Sequence, residues 1–143
     1  MLNGESIRRR VLKLDECIQH LESLQAMSLD EFLSDPAAQG WTERLFQVAI
    51  ESCIDIASHL IAAFGLQRPV YRRDVFQVLW QAGYLEKTFA HQMVGMAKLR
   101  NRLVHLYWDV DAKEMYKYLQ EDVALLQQFR AFALALLGEA DEA

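Results

Sequence analysis

The sequence predicts an all-α bundle. Apolar residues recur at steps of three and four through almost the whole chain, and no stretch alternates apolar and polar residues for long enough to demand a strand. The strongest strand candidate, RPVYRRDVFQV, is broken by two arginines and an aspartate. With six glycines and two prolines there is little punctuation, so three or four long antiparallel helices joined by short connections should make the core, with shorter helices closing the ends.

The first helix should run from about Glu5 to Met27, where Ile7, Val11, Leu14, Ile18, Leu21 and Leu24 lay one apolar stripe on its surface. Ser28 reads as an N-cap, and Glu31 three residues later completes a capping box for a short second helix that stops before Pro36. Gly40 and Trp41 mark a turn. The third helix, about Thr42 to Phe64, carries two stripes: Leu45, Ala49, Cys53, Ile56 and Leu60 form one, and Phe46, Ile50, Ile54 and Ile61 form the other. Apolar residues on two sides make it the central helix. Gly65 suits its C-cap, and the irregular GLQRPVYR precedes Asp74, which opens a short helix to about Ala82, ended by Gly83. A fifth helix spans about Glu86 to Val104. Asp111 with Glu114 forms a second capping box, which starts a last helix through to Gly138 with the stripe Met115, Leu119, Val123, Leu126, Phe129, Ala133 and Leu136.

A chain of 143 residues without repeats or linkers is one domain, residues 1–143, and is long enough to bury about two-thirds of its unfolded surface without a disulfide or structural metal. Its apolar runs are short and broken by charge or by Gln and Ser, so none is expected to span a bilayer, and the N-terminal MLNGESIRRR lacks a signal-peptide core. A cytoplasmic protein without membrane attachment is expected. Cys17 and Cys53 fall within helical patterns, far from C-x-x-C spacing, and read as buried free thiols. A net charge of -5 argues against coating nucleic acid by bulk charge, which leaves three local clusters: Arg8-Arg9-Arg10, then Arg68, Arg72 and Arg73, then Lys98, Arg100 and Arg102.

One of those cations breaks the helical rule. Phe89, Met93, Met96, Arg100 and Leu103 share a stripe, so an arginine lies on a seam that is otherwise apolar. A cation there needs a partner, because desolvation costs several kcal/mol, and Glu51 or Asp55 could supply it, or the side chain could snorkel. Five residues on, His105 lies about 140° around the same helix from Arg100, so the two converge only if the helix ends near Val104 or His105 and the chain bends. At a helix C-terminus an imidazolium is stabilised, although a histidine there commonly just caps the last carbonyls. Glu51, Asp55 and His59 form a polar line at four-residue steps on the third helix. That spacing suits a salt-bridged stripe better than a metal site, since one helix gives an incomplete ligand shell. Neither a metal nor a cofactor is expected. His20 and His91 fall on polar faces, and the chain has no Gly-rich phosphate loop and no G-x-S-x-G elbow.

The run Arg100-Asn101-Arg102-Leu103-Val104-His105-Leu106-Tyr107 resembles the HEPN superfamily, whose signature is Arg, a polar residue, a few variable residues and His on a helical bundle. More closely it is similar to the HepT toxin family, with Arg, four residues, His, one residue, Tyr. The segments CIDIASHLIAAFGLQRPVYRRDVFQVLWQAGYL and GMAKLRNRLVHLYWDVD agree in order and spacing, and the likeness covers about residues 45 to 120. An Arg-x4-His alone is a weak pattern, whereas the longer match is far more specific.

The resemblance implies a HEPN-type antiparallel bundle that pairs as a homodimer. It further implies a metal-independent RNA endonuclease, the toxin of a type VII toxin–antitoxin pair, acting on tRNA or mRNA. Arg100, Asn101 and His105 match the catalytic positions, and Tyr107 matches the tyrosine to which a MntA-like nucleotidyltransferase antitoxin transfers AMP. Asp55, His59 and Arg102 are candidates for lining the cleft, the last with Arg72 and Arg73 adding cations in a dimer. The residue types suit the chemistry: a base for the 2'-hydroxyl proton, an acid for the leaving oxygen, and a fixed cation for the phosphorane-like charge. A single imidazole cannot serve as both acid and base in one step, which a dimer with two copies of His105 would answer. The alternative is a non-catalytic HEPN module that docks a nucleotide or a partner nucleotidyltransferase.

Overall fold

Seven α-helices and one 3-10 turn make up the described residues of the computed structural model, which are 4–105 and 110–142, with side chains through 138. In order they are α1 (Gly4–Leu24), α2 (Leu29–Leu33), α3 (Pro36–Ala63), the 3-10 turn Arg72–Asp74, α4 (Val75–Gln81), α5 (Lys87–His105), α6 (Ala112–Glu121) and α7 (Val123–Glu142). The architecture is all-α, as expected from periodicity. Helix α3 is central and packs against α1, α2, α4, α5, α6 and α7, because both of its stripes are buried. The core runs continuously from Ile7, Leu14 and Ile18 of α1 through Phe46 and Ile50 of α3 to Met93 of α5 and Phe129 of α7.

Several helix ends follow the expected chemistry. Ser28 and Glu31 make the full reciprocal box around α2, with Glu31 N donating to Ser28 Oγ at 3.1 Å and Ser28 N to Glu31 Oε1 at 2.9 Å. Gly65 at φ 67° and Gly83 at φ 90° supply the left-handed residue that closes α3 and α4. Each makes the paired bonds of a Schellman turn, Leu66 N to Ile61 O and Tyr84 N to Leu79 O, both 2.9 Å. Cys17 and Cys53 are buried free thiols, and burial raises the pKa of both.

Three expectations need correction. Gly40 and Trp41 do not form a turn but lie inside α3, which begins at Pro36. Asp35 caps it by accepting from Ala38 N at 3.0 Å, and Pro36 in the first turn loses no hydrogen bond there. That start outweighs the cost of one mid-helix glycine, about 1 kcal/mol. The last helix is two helices, broken at Asp122, because α6 packs on α2 and α3 while α7 turns to pack along α1 and α3. The expected stripe is buried on both sides of the break as far as Ala133, beyond which Leu137 is buried and Leu136 only partly so. Finally, α3 is long and apolar enough by length and composition to cross a membrane, contrary to expectation. Its apolar side chains are instead committed to the neighbouring helices.

Candidate active site

Helix α5 presents Phe89, Met93, Met96 and Leu103 to the core, and Arg100 interrupts that seam with a side chain 26% exposed. Its placement follows from α3, which runs alongside. Arg100 Nε lies 3.1 Å from Glu51 Oε2, the pairing that the seam demanded. The other Glu51 oxygen, Oε1, accepts from Arg72 Nη1 at 2.6 Å, and Arg72 Nη2 donates to Asp55 Oδ1 at 2.6 Å. A further cation, Arg10 of α1, lies 4.0 Å from Asp55. Glu51 and Asp55 thus belong to a salt-bridged network of three arginines drawn from α1, α5 and the 3-10 turn. Hydrogen bonding to Glu51 raises the Arg72 pKa, against the opposing effect of burial. The expected stripe on α3 is therefore real, but its main partner is a loop arginine that the helical periods could not place beside it.

Arg100 also donates from Nη1 to Asn101 Oδ1 at 3.1 Å, so the amide sits on the guanidinium. A cleft of about 170 Å³ opens here, lined by Glu51, Tyr71, Arg72, Arg73, Arg100 and Asn101 with Ile54 and Ala97 at its base. A second, of about 210 Å³, lies on the other side of the pair among Arg44, Gln47, Glu51, Arg100 and Val104. Chemically the arrangement offers guanidinium and amide donors to an anion, while the carboxylates keep the arginines extended and fixed.

His105 is the last residue of α5 and is exposed. Gln47 of α3 donates to the Leu103 carbonyl at 3.3 Å and so ties down the turn that carries it. Because α5 continues unbroken through His105, Arg100 and His105 stay about 140° apart around one axis. The structure brings Arg100 and Asn101 together and does not bring His105 to the same cleft within one protomer. His59, one turn beyond Asp55, is half-buried and does not line the clefts at Arg100. Arg102 faces α6, where Nη1 and Nη2 bind the two oxygens of Glu114 at 2.6 and 3.2 Å. That pair explains why the second capping box is only half made: Asp111 accepts from Glu114 N at 2.8 Å, but the Glu114 carboxylate is turned to Arg102. Tyr107, the expected modification site, lies outside the described residues. Tyr71 and the Glu51–Arg72 link were not foreseen, and the only signal for Tyr71 was an aromatic beside two arginines in a loop.

A bundle with this polar seam belongs to a recognisable class. The Ribonuclease HepT-like family model matches residues 14–132, and the chain belongs to that family. Among curated proteins it is 29% identical over 139 residues to the tRNA nuclease HepT of Aphanizomenon flos-aquae, covering 94% of this chain and 95% of that one. It is 25% identical over 126 residues to the mRNA nuclease HepT of Shewanella oneidensis, covering 88% and 94%. The fold is shared with the tri-AMPylated Shewanella oneidensis HEPN toxin solved in complex with its MNT antitoxin, at a TM-score of 0.84, 24% identity and coverage of 94% and 99%.

Proposed function

We propose that this chain is a metal-independent RNA endonuclease, the toxin of a type VII toxin–antitoxin pair, silenced when a MntA-like nucleotidyltransferase antitoxin transfers AMP to Tyr107. The observation that carries the reading is Arg100. A guanidinium held on an apolar seam by Glu51, touching Asn101 and still open to a cleft, is a cation placed for a phosphate rather than for the core. Relatives named as tRNA and mRNA nucleases, and a fold shared with an AMPylated toxin bound to its antitoxin, support the assignment.

In this mechanism one imidazole removes the 2'-hydroxyl proton, and the resulting oxygen attacks phosphorus as the bond to the 5'-oxygen breaks. A second imidazole protonates that leaving oxygen, giving a 2',3'-cyclic phosphate and a 5'-hydroxyl end. Arg100 and Asn101 hold the charge that builds on the phosphoryl oxygens. Two imidazoles require two copies of His105, so the working unit is a homodimer with the site shared between protomers. An AMP on Tyr107, two residues from His105, would place phosphate charge and a nucleobase where RNA must bind.

The test is cleavage of tRNA and mRNA in EDTA by protein whose Tyr107 is shown unmodified by mass spectrometry. Wild type should cleave, and His105→Ala and Arg100→Ala should each lose about 10²–10⁴-fold with unchanged circular dichroism. A second reading, a non-catalytic HEPN module, takes its support from the Glu51 carboxylate already resting on Arg100. Unmodified wild type that leaves both RNAs intact would select it.

A further inference from the structure

The loop between α3 and α4 brings an exposed aromatic ring to the wall of the Arg100 cleft. Tyr71 is 59% exposed, and its backbone is fixed where the 3-10 turn begins, because Asp74 N donates to the Tyr71 carbonyl at 3.0 Å. Arg73 Cζ lies 4.9 Å from the Tyr71 ring centroid, a cation–π contact that braces the ring. Of the three arginines in this cleft, Arg72 is held by both Glu51 and Asp55 at 2.6 Å, whereas among the described residues the carboxylate paired with Arg73 is Asp74, at 4.0 Å. Arg73 therefore lies over one face of the ring without a close carboxylate, and the opposite face is left for a ligand.

An aromatic face and a guanidinium, set next to the cation assigned to the scissile phosphate, suit an unpaired nucleotide. Single-stranded RNA is held by stacking its bases on aromatic rings while cations track its backbone, and in a duplex the faces of the bases are already occupied. We infer that Tyr71 and Arg73 form a nucleotide subsite beside Arg100, with Tyr71 stacking on an unpaired base and Arg73 binding an adjacent phosphate. This rests on the nuclease reading and adds to it a selection for single-stranded substrate. It also gives the loop a role in positioning the strand, separate from bond breaking.

The test measures equilibrium binding by fluorescence anisotropy, using the full chain and a labelled single-stranded 2'-O-methyl RNA of mixed sequence. Such a strand lacks the nucleophilic hydroxyl, so binding is read apart from cleavage. Tyr71→Ala should weaken binding about tenfold or more, and Tyr71→Phe, which keeps the stacking face, should bind as wild type does. Arg73→Ala should reduce the salt slope by about one. The same strand annealed to its complement should bind more weakly and be insensitive to Tyr71. Tyr71→Ala binding as tightly as wild type, or weakening single strand and duplex equally, would overturn the subsite. So would loss in that variant of antitoxin binding or self-association with RNA binding intact, which would make the ring a protein contact. The nuclease reading is judged separately by cleavage in EDTA: cleaving protein with Tyr71-independent binding refutes the subsite alone, and Tyr71-dependent binding without cleavage refutes the nuclease alone.

Discussion

Glu51 shows how one carboxylate can organise two cations. Its Oε1 accepts a hydrogen bond from Arg72, while Oε2, buried and accepting none, faces Arg100 at 3.1 Å as an ion pair whose angle does not make a hydrogen bond. Both partners in that pair are about one-third exposed or less, so removing Glu51 should cost more than breaking a surface ion pair and less than stranding a fully buried charge. Glu51→Ala is expected to lower stability by about 1–2 kcal/mol in urea denaturation. It should also lower kcat, since Arg100 and Arg72 lose the charge that holds them together. Glu51→Gln keeps a hydrogen-bond acceptor and should recover much of the stability but less of the rate; equal recovery of both would limit Glu51 to holding the fold. Half of this was legible in the sequence. An arginine on an apolar seam demands a carboxylate, and Glu51 was one of two within reach, but nothing in the pattern says where an irregular loop will put Arg72 or Tyr71.

At the level of elements, the parts read correctly were those fixed by local chemistry. The Ser28–Glu31 box is contained in four residues, and it anchors a helix whose Phe32 is wholly buried against Tyr116, with Tyr116 Oη donating to the Met27 carbonyl at 2.8 Å. Ser28→Ala should lower stability by about 1 kcal/mol, measured by urea denaturation. The bonds to Ser28, the backbone one foremost, lower the Glu31 pKa, so the box should contribute above the unfolded carboxylate value and lose that contribution as pH falls through the lower folded one. A stability gap between wild type and Glu31→Gln that is present at neutral pH and closes in acid is the expected profile. A gap that does not change with pH would show that the charge is irrelevant. The elements misread were set by packing at a distance. The break at Asp122 exists because α6 and α7 must reach different neighbours, and Glu114 leaves its own capping box because Arg102 of α5 lies within reach. Neither constraint appears in a window of helical length.

For the whole molecule, the orientation of α5 decides what a working site requires. The sequence already shows four residues between Arg100 and His105, and in the structure α5 ends at His105 with no bend before it. Within one protomer the guanidinium points to the α3 seam while the imidazole stands about 140° away at an exposed helix end. In the proposed homodimer, the second copy supplies an imidazole that one protomer does not bring to its own Arg100 cleft. This makes a sharp prediction for mixed protomers. His105→Ala homodimers should be inactive, and refolding that variant together with wild type should form heterodimers that hold one imidazole, enough for the base or the acid but not for both. Cleavage in EDTA should then follow the proportion of wild-type homodimers, as measured by native mass spectrometry. Heterodimers that keep cleaving would place a complete site within one chain, and with it a rearrangement at the end of α5 before any cleavage.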